Sequence, residues 1–241
     1  GLQLNNLTKS YTHVLTGYIG DITFLHGIAH VIDDLKKQNK DLLYMCDPVL
    51  GDHGRLYVPQ ELVQAFKTVL IPRADIITPN HFETSLLTDT PLDDILKHKF
   101  DVIELLDKMH AMGPRTVIIT GIPSLDQSTI TLYASKYEQQ SNENKVVGEK
   151  RSIYQVQFPK LNSFFTGTGD LIASLLLANM REDVPFAKQL ERAVASVQHV
   201  LKYTAEQGGG ELRLVECWPG IVNPRVDAYH AEPVQLPSTI N

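Results

Sequence analysis

The sequence predicts an α/β protein built on a mostly parallel central sheet flanked by helices, and three features carry that prediction. From residue 11 to about 120, short β-rich runs alternate with longer segments whose apolar residues recur at helical spacing. Most of the β-rich runs end in Thr, Gly, Asp, Pro or Asn, the polar carboxyl ends beyond which open α/β sheets bind their ligands. Beyond residue 120 the pattern shifts to half-exposed alternation, which suits an antiparallel edge.

Strands are expected at Tyr11 to Thr16, Leu42 to Asp47, Asp75 to Thr78 and Thr116 to Thr120. Between them, Thr23 to Gln38, Gln60 to Val69 and Asp101 to Met112 read as helices, the last stopped by Gly113-Pro114. Thr129 to Ala134 and Ser152 to Phe158 alternate as edge strands, separated by a polar tract over residues 138–150 that reads as a mobile loop. Two helices follow, Gly169 to Met180 and Pro185 to Glu206, and Gly208-Gly209-Gly210 then breaks the chain. Residues 216–241, rich in proline, read as an irregular tail, and the whole of 1–241 as a single domain.

Composition narrows the function. A hydrophobic share of 43% over 241 residues supplies a sizeable core, which argues against disorder. The longest apolar stretches, such as Leu171 to Ala178, fall short of the ~20 residues a membrane helix needs. With no basic-then-apolar opening segment either, the expected protein is cytoplasmic with no membrane partner. Its net charge is −6, and no dense Lys/Arg cluster tracks a phosphate backbone, so nucleic acid is not an expected partner. Cys46 and Cys217 stand far apart without metal or redox spacing, and the histidines form no zinc motif, so any metal would be held by oxygens.

Three local motifs could carry chemistry. The first is Phe165-Thr166-Gly167-Thr168-Gly169-Asp170, leading into an apolar helix. Two glycines allow close backbone approach to a ligand, and the first N–H groups of a helix lack internal partners, so the turn suits an anion such as a transferred phosphate. Asp170, in the first turn, would be held as a carboxylate by the helix dipole and act as a weak base, which phosphoryl transfer tolerates. The same residues also fit an ordinary helix cap. In the second motif, Thr78-Pro79-Asn80-His81-Phe82-Glu83, Asn80 and Glu83 form either a capping box or a site ordering the water around Mg²⁺. In the third, Asp47-Pro48-Val49-Leu50-Gly51-Asp52, two acids flank a turn at a strand end, as either a solvated loop or a place for a metal-bound phosphate. Neither G-x-G-x-x-G nor a P-loop occurs.

Taken in order, D-P-V-L-G-D, T-P-N-x-x-E, V-I-I-T-G and G-T-G-D resemble the ribokinase-like family of small-molecule kinases. Gly54-Arg55-Leu56-Tyr57-Val58-Pro59 and Leu15-Thr16-Gly17-Tyr18 are most similar to its pyridoxal kinases. The resemblance extends from about Gly1 to Val215 and implies a three-layer fold, in a homodimer, that uses ATP, Mg²⁺ and a monovalent cation, K⁺ or Na⁺. It implies phosphorylation of pyridoxal, pyridoxine or pyridoxamine at the 5′-hydroxymethyl group in vitamin B6 salvage.

By the same resemblance, Asp170 takes the substrate's proton, and Gly167, Thr168 and Gly169 form the anion hole for the γ-phosphate. Asp52 handles the ATP phosphates and Mg²⁺, with Asn80 and Glu83 ordering the metal's water shell. Asp47, Thr78 and Thr120 match a monovalent-cation site, Tyr18 borders the pyridine ring, Leu161 and Phe165 lie near the adenine, and Tyr57 belongs to a closing loop. Gly121 stands where the family often has a serine, so a backbone contact to the nucleotide phosphate replaces a side-chain one. The chain begins at a point corresponding to the interior of the family fold, so the first βα units are expected to be missing. Two alternatives stay open: a hydroxymethylpyrimidine kinase, and a truncated, non-catalytic nucleotide-binding form.

Overall fold

A computed structural model describes residues 7–142, 145–180 and 183–235. The chain divides into two compact units, Gly1–Ile119 with Ala134–Ser152, and Thr120–Tyr133 with Ile153–Asn241.

The first unit opens with a 3₁₀ turn at Leu7–Ser10, then β1 (His13–Thr16) and α1 (Ile22–Gln38). Helix α1 starts at Asp21, whose side chain accepts from the Phe24 amide at 2.9 Å, and buries Leu25, Ala29, Ile32 and Leu35 along one stripe. Next come β2 (Leu43–Cys46), the small hairpin of β3 (Gly51–Asp52) and β4 (Arg55–Leu56), and α2 (Glu61–Ala65). Helix α2 continues through a π turn at Phe66–Leu70 and a 3₁₀ turn at Ile71–Arg73, so the single helix expected over residues 60–69 changes its winding partway. After it follow β5 (Ile76–Ile77), α3 (His81–Thr88), α4 (Leu92–Leu96), α5 (Val102–His110) and β6 (Thr116–Pro123). Strands β1, β2, β5 and β6 pair parallel in that order. In β2, β5 and β6 the residues Met45, Ile77, Val117 and Ile118 are fully buried, as strands covered on both faces require, whereas β1 at the end of the order is half-buried with His13 exposed.

Strands β7 (Thr129–Asn142) and β8 (Lys145–Pro159) continue the sheet. The bonds from the Ser124 amide to Thr129 O and from the Tyr137 amide to Arg115 O, each 2.9 Å, make β7 antiparallel to β6. The loop expected over residues 138–150 is therefore corrected: strand runs through Asn142 and resumes at Lys145, while residues 143–144 lie outside the described residues. An antiparallel ladder satisfies backbone groups whatever the side chains, so a polar strand reads in the sequence like a loop.

The second unit adds β9 (Phe165–Thr166), α6 (Thr168–Asn179), α7 (Phe186–Glu206), β10 (Gly210–Glu211), α8 (Trp218–Val222), a 3₁₀ turn at Val226–Ala228 and β11 (Ala231–Pro233). The tail expected to be irregular from residue 216 is thus ordered into a helix, a turn and an edge strand as far as residue 235. Strand β11 pairs antiparallel with β8, and its Ala231 amide donates to the buried Glu191 carboxylate at 3.0 Å. At a sheet edge the proline that ends β11 is tolerated, which is why proline content alone misleads there.

A polar tie fixes the end of α5 within the first unit. His110 Nδ1 lies 2.7 Å from the Pro114 carbonyl, which can only accept, so that nitrogen carries the proton. Nε2, 2.8 Å away, then accepts from the Ser135 hydroxyl, which in turn accepts from Arg151 Nε at 2.9 Å. Burial holds the His110 pKa below its usual 6.5, and the charges of Arg151 and Arg115 add to this against the Pro114 carbonyl and Asp107. The folded state therefore binds fewer protons here than the unfolded chain. The stability this tie contributes is present above pH 6.5 and lost as pH falls through the depressed folded value. Urea unfolding of wild type and His110→Gln across that range is expected to show the acid-side loss only in wild type.

Candidate active site

Strand β2 is buried until Asp47, whose amide continues the ladder to Thr16 O at 2.9 Å. Asp47 is itself buried and accepts from the Thr78 hydroxyl at 3.0 Å, so the ends of β2 and β5 are joined by their polar residues. Cys46, one residue earlier, is enclosed so completely that burial pushes its thiol up to about 12, which removes it as a nucleophile.

After Pro48 the chain is held by α3. The Asn80 side chain accepts from the Glu83 amide at 2.9 Å, and Glu83 Oε2 accepts from the Asn80 amide at 2.9 Å, a complete capping box. The capping reading of these two residues therefore holds, and the pair also reaches further. Glu83 Oε1 accepts from the Leu50 amide at 3.0 Å, and Asn80 Nδ2 donates to Gly51 O at 2.9 Å, so one helix start anchors the loop that carries Asp52. Burial raises the Glu83 pKa well above the usual 4.5, and the Asp47 charge adds to it against the amides of Asn80, Leu50 and Gly51.

Asp52 is half-buried on the hairpin, where its Oδ1 accepts from the His53 amide at 2.7 Å. The His53 ring lies 3.4 Å from Oδ2 and the His81 ring 4.0 Å from Oδ1. Neither histidine features in the reading of the sequence; their places inside the D-P-V-L-G-D-H and T-P-N-H segments were the available signal. Tyr57 closes the hairpin through its amide to Leu50 O at 2.8 Å and leaves its ring 56% exposed. Its hydroxyl pKa is raised by partial burial and then by the charges of Asp52 and Glu83. Tyr18 is 60% exposed beyond β1. Among the described residues, no three His, Cys, Asp or Glu side chains gather as a metal cage. Asp47, Asp52 and Thr78 supply oxygen only, the chemistry that fits a hard cation bound partly through waters and phosphates.

In the second unit, Thr120 and Gly121 are half-buried along β6. A Cβ on Gly121 would stand 2.7 Å from Ile130 Cγ2, so Ile130 occupies the space a serine would need. Leu161 and Phe165 are half-buried on the approach to α6.

The start of α6 differs from that of α3. Its N-cap is Gly167, in the left-handed region at φ +88°, and no side chain caps it. The first intrahelical bond runs from the Leu171 amide to Gly167 O at 3.0 Å, which leaves the preceding amides of the first turn without helical partners. Asp170 is exposed there, and among the described residues its carboxylate has no hydrogen-bond or ion-pair partner. Gly167 is thus the N-cap, one of the residues an ordinary cap favours, and it leaves those amides without a side-chain partner. The helix behind the turn is held firmly: Leu171, Ile172, Ala173, Leu175 and Leu176 are buried, and α6 packs on α7.

Known proteins resemble this chain along most of its length. Residues 8–214 match the family model described as phosphomethylpyrimidine kinase. Pyridoxal kinase of Dictyostelium discoideum is 36% identical over 238 residues, covering 94% of this chain and 76% of the relative. Pyridoxal kinase of Homo sapiens is 36% identical over 246 residues with the same coverages. A putative pyridoxal kinase of Caenorhabditis elegans is 39% identical over 208 residues, 85% of this chain and 60% of that protein. Among solved structures, pyridoxal kinase from Leishmania donovani in complex with ADP and pyridoxamine superposes with a TM-score of 0.82 at 27% identity, covering 98% of this chain and 78% of that one. PdxK from Plasmodium falciparum with the ligands AMP-PNP and PL gives 0.80 at 30% identity, covering 97% and 80%.

The contrast between the two helix starts predicts unequal stability effects. Asn80→Ala is expected to lower unfolding free energy by about 1 kcal/mol or more, because a cap is lost and the buried Glu83 amide is stranded. Asp170→Asn removes no side-chain contact, only a charge favoured at an exposed helix start, and is expected to lower unfolding free energy by only about 0.3 kcal/mol.

Proposed function

We propose that this chain, which belongs to the pyridoxal kinases of the phosphomethylpyrimidine kinase family, transfers the γ-phosphoryl group of ATP to the 5′-hydroxymethyl oxygen of pyridoxal, pyridoxine or pyridoxamine. The observation that carries this reading is the uncapped start of α6, with exposed Asp170 beside unpartnered amides on a rigidly packed helix.

The chemistry follows from those groups. Asp170 takes the hydroxymethyl proton while the oxygen bonds to the γ-phosphorus, the bond to the β,γ-bridging oxygen breaks, and ADP leaves. The amides at Gly167, Thr168 and Gly169 hold the oxygens of the group in transit, where charge is spread in the transition state. Thr120 and Gly121 contact the nucleotide phosphates, Leu161 and Phe165 border the adenine, and Tyr18 borders the pyridine ring. Tyr57, exposed at the end of its hairpin, closes over the nucleotide and excludes water.

Mg²⁺, when bound, neutralises charge on the ATP phosphates. Asp52 would hold it, its place fixed by the bonds from Asn80 and Glu83 to the backbone of Leu50 and Gly51, and Asn80 and Glu83 would order its waters. In the first unit the hydroxyl and carboxylate oxygens of Thr78 and Asp47, joined at the ends of β5 and β2, would serve a monovalent cation, K⁺ or Na⁺. In this reading residues 1–241 act as one kinase domain, in a cytoplasmic homodimer. No described helix is long and apolar enough to cross a membrane.

Formation of pyridoxal 5′-phosphate from MgATP, measured beside turnover of hydroxymethylpyrimidine, tests the acceptor. Asp170→Asn is expected to cut kcat by about 100-fold or more, the usual share of a general base, while ATP affinity is kept. Full activity in that variant would remove Asp170 from the mechanism. Glu83→Gln is expected to raise the Mg²⁺ concentration needed for half-maximal rate.

A further inference from the structure

The glycine run after α7 has no role in the chemistry above, and helix termination accounts for only part of it. The Gly208 amide donates to Ala205 O at 3.0 Å and the Gly209 amide to Thr204 O at 2.9 Å, with Gly208 at φ +95°. These two bonds close a helix with a single left-handed glycine. Gly209 is also left-handed, at φ +78°, and this second turn aims the chain at the segment that precedes the catalytic turn.

There the Gly210 amide donates to Phe164 O at 2.8 Å, and Gly210–Glu211 pair parallel with Phe165–Thr166, the two residues directly before Gly167. The approach is close. A Cβ on Gly209 would stand 2.5 Å from Ser163 Oγ and 3.0 Å from the Phe164 carbonyl, whereas one on Gly208 would meet nothing within 4 Å. On the other side the fully buried Thr204 hydroxyl accepts from the Arg213 amide at 3.1 Å, which fixes the strand as it leaves.

We propose that Gly209 is a positioning residue for phosphoryl transfer: it lets the end of α7 lie against Ser163 and Phe164, and the β9–β10 pair so formed sets the place of Gly167 to Asp170. This rests on the kinase reading above. A shift of the turn would misplace Asp170 and the open amides together, and transfer reactions are sensitive to such displacement because positioning supplies much of the rate.

The test compares Gly209→Ala with Gly208→Ala, since both force a side chain into left-handed backbone but only the first meets residues 163–164. Gly209→Ala is expected to lower kcat by about 10- to 100-fold with the KM for pyridoxal little changed, and Gly208→Ala to keep kcat within about 3-fold although its Tm falls. Adding Ser163→Ala to Gly209→Ala removes the nearest clash and is expected to recover part of kcat. Equal kcat losses in the two single variants, or no recovery in the double variant, would overturn the proposal.

Hydrogen exchange supplies a readout independent of turnover and of variant folding. In the unaltered chain the Gly210 amide is expected to open together with the Leu171 amide, whose bond to Gly167 O closes the turn. Free exchange at Gly210 while Leu171 stays protected would overturn the brace. Failure of the wild-type chain to form pyridoxal 5′-phosphate would instead defeat the kinase reading, and exchange would still decide whether the brace exists.

Discussion

Backbone amides left over at helix starts must find partners, and this chain meets that requirement in two opposite ways. At α3 the requirement is met internally: Asn80 and Glu83 cap one another and, with their remaining capacity, bind the backbone of Leu50 and Gly51. At α6 a left-handed glycine brings the chain in with no side-chain cap, so the first-turn amides are left open, as the proposed anion site requires. The first arrangement yields a fixed loop and the second an open helix start. Both come from glycine, asparagine and acidic residues that are all common at helix starts, so geometry separates them where residue preference does not.

Leaving amides open is tolerable only where the helix is secured by other means. Helix α6 is apolar around most of its circumference and packs along α7, so its hydrophobic burial offsets the missing cap. Helix α7 is in turn tied by Ser196 to the Ile221 carbonyl, by Glu191 to the Ala231 amide and by Lys202 to the Tyr229 hydroxyl. The stretch after residue 216 is therefore part of what holds α7. In the first unit the constraint is the parallel sheet itself. Strands β2 and β5 are buried along most of their length, so their polar groups gather at the strand ends, which is where Asp47 and Thr78 meet.

Much of this was legible in the residues. The alternation of apolar runs gives the parallel strands and their order of appearance, and the positions of Asp47, Thr78, Asn80, Glu83 and Asp170 follow from strand and helix boundaries. Three features were not legible, each for a physical reason. Residues 138–142 and 145–150 form strand because a ladder bonds backbone to backbone, a contribution that hydropathy does not register. The extra winding of α2 through Phe66–Leu70 is a change in hydrogen-bond spacing within a segment whose apolar pattern remains helical. The histidines beside Asp52 come from two motifs separated by β4, α2 and β5, and only the fold brings them near one carboxylate.

Gly121 shows how such limits bear on residue roles. Read against its family, the missing serine looks like a lost phosphate contact. In the structure, Ile130 from the neighbouring strand already fills the position a side chain would take. The glycine and the isoleucine are thus one packing solution, and restoring a serine alone would force Ile130 to move before any contact to a phosphate could form. A substitution at residue 121 therefore has to be judged together with Ile130, because a packed interior fixes the joint volume of neighbouring side chains.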